Sequence, residues 1–199
     1  MNLFTLPNSP ILKDTVPNEL YDSLLKEAHQ SFDQKTSAHN KKLVGHIKHE
    51  YVLKENTRVL NPYIRHLAQY LSANLDKGDK KGYGGNNYIL KDLWVNFQKK
   101  HEFNPIHVHD GIFSFVIFMT VPYELNDEMK VFNANGDHAS RLEFVYSNTL
   151  GRIIQYVLDI NKSDEKSIVM FPASLNHVVY PFYTSDDYRI TISGNVYGE

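Results

Sequence analysis

From Tyr88 onward the apolar residues recur at every second position, and this period constrains the fold more than any other feature of the chain. Leu93, Val95 and Phe97 fall on one face of an extended segment, and Trp94, Asn96 and Gln98 fall on the other. The longest apolar run, Ile112 to Val121, follows and is closed by Pro122. Further strands are expected at Met129–Phe132, Arg141–Tyr146, Ile153–Ile160, Lys166–Phe171, Val178–Phe182 and Tyr188–Val196, with turn signals such as Asn135-Gly136, Leu150-Gly151 and Ser163-Asp164 between them. Most of the 13 tyrosines and 11 phenylalanines lie from residue 83 onward, where pleated surfaces accommodate rings well. Closely spaced strands with short connections pair antiparallel, which predicts a sandwich or barrel.

The N-terminal part has the other period. Leu20, Leu24 and Ala28, flanked by Tyr21, Leu25 and Phe32, predict a helix from about residue 18 to 32 behind Pro17. Ile64, Leu67, Ala68, Leu71 and Leu75 predict a second, capped by Asn61 with Pro62 at its first position. Residues 1–16 read as an extended segment broken by Pro7 and Pro10, and Leu43–Leu53 is open to either period. Polar or glycine-rich stretches at 33–42, 78–87 and 133–140 read as loops that could cover a substrate. The expectation is one mainly β (α+β) domain over residues 1–199, with a helical part to about residue 87 and a β core over about 88–197.

Composition narrows the partners. A net charge of −2 gives no reason to expect nucleic acid. The absence of cysteine excludes disulfides, thiolate metal sites and a cysteine nucleophile. No apolar run is long enough to span a bilayer, and Met1–Pro7 lacks the pattern of a secretory signal, so a cytoplasmic location is expected. Oligomeric state is not readable from these features.

Ten histidines are present, and seven of them (His29, His39, His46, His49, His66, His101 and His138) sit in polar or helical surroundings that predict surface positions. His107 and His109 differ. Two residues apart on an extended segment, they project from one face at the mouth of an apolar strand and can share one divalent ion. His177 follows a Phe-Pro turn where a returning strand would bring it beside that pair. In Tyr188–Val196, Arg189, Thr191, Ser193 and Asn195 share a polar face that either meets water or lines a cavity. In a cavity, Arg189 could grip a carboxylate bidentately with help from Thr191, and Trp94, Asn96 and Gln98 would supply a similar face.

The order H-x-(carboxylate), H, R-x-S/T resembles that of iron(II)/2-oxoglutarate-dependent oxygenases. The segments Trp94–Lys100, Asn104–His109 and Met170–His177 resemble a small branch of that superfamily common in marine bacteria and their phages. The resemblance covers about residues 88–197. It implies a double-stranded β-helix (jelly-roll, cupin-like) with the N-terminal helices packed outside. It further implies Fe(II), 2-oxoglutarate and O2, and hydroxylation of a peptide side chain or small metabolite with release of succinate and CO2.

One departure stands out: His109 occupies the position of the usual carboxylate. Three ligand sets follow: His107, His109 and His177; Asp110 in place of His109; or two protein ligands with His109 turned to substrate. A regular strand points Asp110 to the opposite face, which favours three histidines. That preference keeps a cupin-like three-histidine dioxygenase without 2-oxoglutarate as a rival, beside a non-enzymatic jelly-roll binding module.

Overall fold

The computed structural model describes residues 9–35, 43–75, 87–132 and 138–198. Among them ten strands form two antiparallel sheets: β1 (Leu12–Thr15), β2 (His49–Val52), β3 (Tyr88–Gln98), β4 (Asn104–His107), β5 (Phe113–Thr120), β6 (Leu142–Ser147), β7 (Ile153–Leu158), β8 (Ser167–Pro172), β9 (Asn176–Val179) and β10 (Arg189–Gly198). The larger sheet runs β1-β8-β5-β10-β3-β2 and the smaller β4-β9-β6-β7. Apart from the β6–β7 pair, which stays in the smaller sheet, the last eight strands alternate between sheets in the order of a double-stranded β-helix, and β1 and β2 extend the two edges of the larger one.

The larger sheet is covered on both faces. On the outer face lie α1 (Asn18–Gln34) and α2 (Thr57–Ala73). Their stripes of Leu24, Ala28, Leu60, Ile64 and Leu71 join one buried cluster with Leu93, Val95, Phe97, Ile190 and Ile192. Each such side chain removed from water contributes about 1.5–3 kcal/mol, so this face carries much of the folding free energy. Between the sheets Phe118, Val169 and Phe171 meet Leu142 and Phe144. That interior is only partly filled, and a cavity of about 400 Å³ remains.

Three bulges decide which residues face the cavity. In β3 the register shifts opposite Asn195/Val196, so Leu90 and Leu93, three apart, both face the helices while Asp92 faces inward. In β5 a shift opposite Ile190/Thr191 does the same near Met119. In β4, Asn104 pairs with Val179 but His107 with His177, an extra residue at Pro105-Ile106. Pro105 has no N–H for a regular ladder there. The bulge turns Asn104 and His107 to one face despite their odd spacing.

Several expectations need correction. The second helix starts at Thr57, not at Pro62, which lies inside it. The Glu27 carboxylate of α1 accepts the N–H groups of Lys54, Glu55 and Asn56 at 2.7–3.0 Å and so serves the start of α2 from another helix. Asn61, the expected cap, instead accepts the Leu90 N–H at 2.8 Å and ties α2 to β3. The strand expected at Met129–Phe132 is not formed; a short helix α3 (Leu125–Glu128) and a turn occupy this region. There the buried Glu128 carboxylate receives the Tyr183 and Thr184 N–H groups. β9 begins at Asn176, so His177 lies within a strand rather than before one, and that strand ends at Val179 rather than Phe182. The ambiguous stretch contributes β2. Residues 36–42, 76–86 and 133–137, most of the three expected covering loops and His39, lie outside the described residues.

Candidate metal centre

Strands β4 and β9 pair so that His107 stands directly opposite His177. His109 lies just past the end of β4, and its N–H donates to the Ala173 carbonyl at 2.9 Å. Gly111 follows at φ +93°, where a Cβ would meet the Val196 carbonyl at 2.7 Å; glycine thus permits the turn into β5. Asp110, the alternative ligand, is exposed at the cavity edge and stands apart from the cluster. One ring nitrogen from each of His107, His109 and His177 lies within 4.8 Å of the others, and the ring centroids are 4.2–4.9 Å apart.

The local backbone prepares two of these rings. His107 Nδ1 lies 2.7 Å from the Pro105 carbonyl and His177 Nδ1 2.9 Å from the Leu175 carbonyl, in each case two residues upstream. A carbonyl only accepts, so Nδ1 carries the proton and Nε2 presents its lone pair. Burial disfavours the imidazolium form in all three. Desolvation lowers His107, while for His109 it acts with the neighbouring His107 to bring the value to about 4. His177 falls well below the ordinary histidine range, through burial and then its two neighbours. All three are therefore neutral near pH 7, the form that binds a divalent metal. Phe171 and Phe144 pack around His177, and the Trp94 ring centroid is 5.7 Å from that of His109.

The facing wall belongs to the larger sheet. Arg189, Thr191, Ser193 and Asn195 of β10 and Trp94, Asn96 and Gln98 of β3 line the same cavity as the histidines, so the polar faces of both strands look inward rather than to water. Arg189 is only 1% exposed, and all five of its N–H donors are engaged. Gln98 Oε1 accepts from Nε and Nη2 at 3.1 and 2.7 Å; Tyr123 Oη and the Ser140 carbonyl accept from Nη1 at 2.9 and 2.6 Å; the Tyr180 carbonyl accepts from Nη2 at 2.9 Å. None of these acceptors is charged. The guanidinium is thus a buried positive charge held by neutral groups, an arrangement that an anion entering the cavity would complete.

Asn96 Nδ2 donates to Thr191 Oγ1 at 3.2 Å, which leaves the Thr191 proton available to an acceptor. The Oδ1 atom of Asn96 is buried and without a partner. Sequence reasoning missed Glu50, Asn104 and Asp92, which also line the cavity. Asn104 carries no signal of this in the sequence, because its odd spacing from His107 places the two on opposite faces until the bulge is known. Glu50 lies in the segment whose period was ambiguous. Tyr123, Ser140 and Tyr180, which hold Arg189, carry no signal of their own in the sequence. His138, expected at the surface, is half-buried and pairs with the buried Glu143 carboxylate at 2.8 Å.

The chain matches the family model described as "Putative 2OG-Fe(II) oxygenase" over residues 92–195, just over half its length. Among solved structures it is similar to a Pseudomonas putida prolyl-4-hydroxylase, with 11% identity, a TM-score of 0.57 and 95% and 92% of the two chains covered. It is also similar to EvdMO1, with 11% identity and a TM-score of 0.55 over 92% of this chain and 45% of that one. No curated protein matches it by sequence. Among the described residues no helix is long and apolar enough to cross a membrane. With a β-helix whose paired strands gather three neutral imidazoles opposite a buried arginine, the chain belongs to the 2OG-Fe(II) oxygenases, a family of oxidoreductases.

Proposed function

We propose that this protein is a 2-oxoglutarate- and Fe(II)-dependent dioxygenase that hydroxylates a peptide side chain or small metabolite. The observation that carries this reading is the pairing, within one cavity, of a set of proton-free imidazole nitrogens with an arginine that has no anionic partner among the described residues. Iron(II), 2-oxoglutarate and O2 together supply the oxidation of a C–H bond to C–OH, with succinate and CO2 as the other products.

Each residue then has a task that follows from its contacts. His107, His109 and His177 would hold the metal through neutral nitrogens, with the Pro105 and Leu175 carbonyls fixing the orientation of two rings. The Thr191 hydroxyl would donate to the distal carboxylate of 2-oxoglutarate, and Arg189, whose five donors are held by the protein, would attract it through charge unless one neutral partner gives way. Gln98 acts by keeping the Arg189 plane in place through two hydrogen bonds. Asn96 directs the Thr191 proton, and Trp94 forms an apolar wall beside His109 that limits water.

The test is anaerobic titration with iron(II) and 2-oxoglutarate, followed through the weak visible charge-transfer band of the chelate, and succinate production in air. Absence of both from folded protein ends the reading. The third imidazole in place of a carboxylate supports one rival, a three-histidine dioxygenase of the same fold that does not use 2-oxoglutarate. Oxygen uptake that is indifferent to 2-oxoglutarate would select it.

A further inference from the structure

One corner of the cavity presents hydrogen-bond acceptors that neither the metal nor an anionic co-substrate can use. Glu50 of β2 stands opposite Asn96 of β3 in the sheet register, so the two share the inner face of the larger sheet. Asn104, turned inward by the β4 bulge, reaches the same corner from the smaller sheet. The Oδ1 atoms of Asn96 and Asn104 are both buried without a hydrogen-bond partner, and Asn96 as a whole is 4% exposed. A buried, unmet acceptor costs about 1–3 kcal/mol, so two in one cavity invite a donor from outside the chain.

The third oxygen group is a carboxyl that a bound cation would help to ionise. Glu50 is 1% exposed, and burial, reinforced by the Glu102 charge, pushes its carboxyl up to about 7. Both Glu50 Oε1 and Asn104 Oδ1 crowd the open side of Gly45: a Cβ there would lie 3.1 Å from the first and 2.2 Å from the second. Leu43, Val44 and Ile47 line the cavity beside Gly45 and offer apolar surface to a hydrocarbon stem.

We propose that Glu50, Asn96 and Asn104 form a substrate subsite for a cationic donor group, an ammonium or a guanidinium on an aliphatic stem. The subsite deepens the oxygenase reading, on which it rests for placing the stem's reacting carbon near the histidines. An ammonium has three donors and a guanidinium five, enough to meet all three oxygen groups at once. Inorganic cations suit it less, because calcium takes six to eight oxygens and magnesium a full octahedron. The Arg189 charge lies farther along the sheet, opposite Gln98, where the co-substrate's carboxylate would cover it.

Trp94, the single tryptophan, lines the cavity and reports binding there directly. The experiment titrates n-butylamine, n-butylguanidine, n-butanol and Mg(II) into the intact protein with 2-oxoglutarate present, following Trp94 emission. Saturable binding of the two cations by about 10 mM is expected, an affinity within reach of ligands of this size. n-Butanol should bind at least about 10-fold more weakly. Glu50→Gln and, in case that variant fails to fold, Asn104→Ala should each weaken butylamine by on the order of 10-fold.

Equal binding of butanol, binding of Mg(II) without the amine, cation binding indifferent to both substitutions, or no saturation by the cations overturns the subsite. The iron–2-oxoglutarate band is recorded on the same samples. A band with the wrong ligand pattern removes the subsite and leaves the oxygenase reading standing. The expected pattern without a band does the reverse.

Discussion

The two walls of the cavity solve opposite electrostatic problems. On the smaller sheet, three imidazoles are stripped of water and of protons, and two of them donate Nδ1–H to carbonyls two residues upstream, leaving lone pairs that face inward. On the larger sheet, Arg189 spends every donor on neutral acceptors. One wall presents lone pairs and the other a positive charge. The difference teaches that the two walls suit opposite charges, a metal ion at the lone pairs and an anion at the arginine, as the proposed function requires.

The comparison can be broken most forcefully at Arg189. Arg189→Ala leaves Gln98 Oε1 and the Tyr180 carbonyl without their donor, takes one bond each from the Tyr123 hydroxyl and the Ser140 carbonyl, and opens a cavity, so stability should fall by about 4 kcal/mol or more. Thermal unfolding should shift down by about 10 °C. A change of only a degree or two would mean that the wall is slack rather than built around the cation.

On the opposite wall, His177→Ala should leave folding largely intact but weaken Co(II) or Fe(II) by on the order of 100-fold, or about 3 kcal/mol. Quenching of Trp94 by Co(II) checks this, since the indole lies close to His109. Unchanged quenching would remove His177 from the ligand set.

Acid should act on the histidine wall and on Glu50 in opposite directions. His109 is lowered to about 4 when folded, so below its ordinary value the unfolded chain binds more protons than the folded one. Stability of the metal-free protein should therefore decline as the pH falls from about 6.5 through 4, by about 2 kcal/mol once partial exposure is discounted. Bound Zn(II) or Co(II) should move that decline to lower pH. Glu50 runs the other way: raised to about 7, its share of stability is lost as pH rises from 4.5 through 7. Urea unfolding across this range, with Glu50→Gln as the control, separates the two.

The smallest expected effect is at Gly45. Gly45→Ala puts a methyl group on Asn104 Oδ1 and should cost about 1 kcal/mol while disturbing the acceptor corner. Co(II) affinity should be unaltered; a joint loss would couple that corner to the metal wall.

Much of this was legible along the chain. Alternation in Trp94–Gln98 and Arg189–Asn195 separates polar from apolar faces correctly, and the spacing of His107 and His109 places them on one side. The helical stripes in α1 and α2 likewise identify the buried residues, because a helix or strand face is a matter of local period. The start of α2 was not legible, because the group serving it, Glu27, belongs to another helix. The Met129–Phe132 prediction failed for a related reason: Glu128, just before it, is committed to the Tyr183–Thr184 backbone.

By itself the sequence determined which residues share a face, and it narrowed the chemistry to three histidines and an arginine. Only the tertiary structure decided that the polar faces look into a cavity instead of water, that Asn104 points the same way as His107, and that Glu50 joins them. The physical reason is that periodicity is settled between neighbours along the chain. Burial, bulge parity and the company a charge keeps are settled across sheets, by residues dozens of positions away.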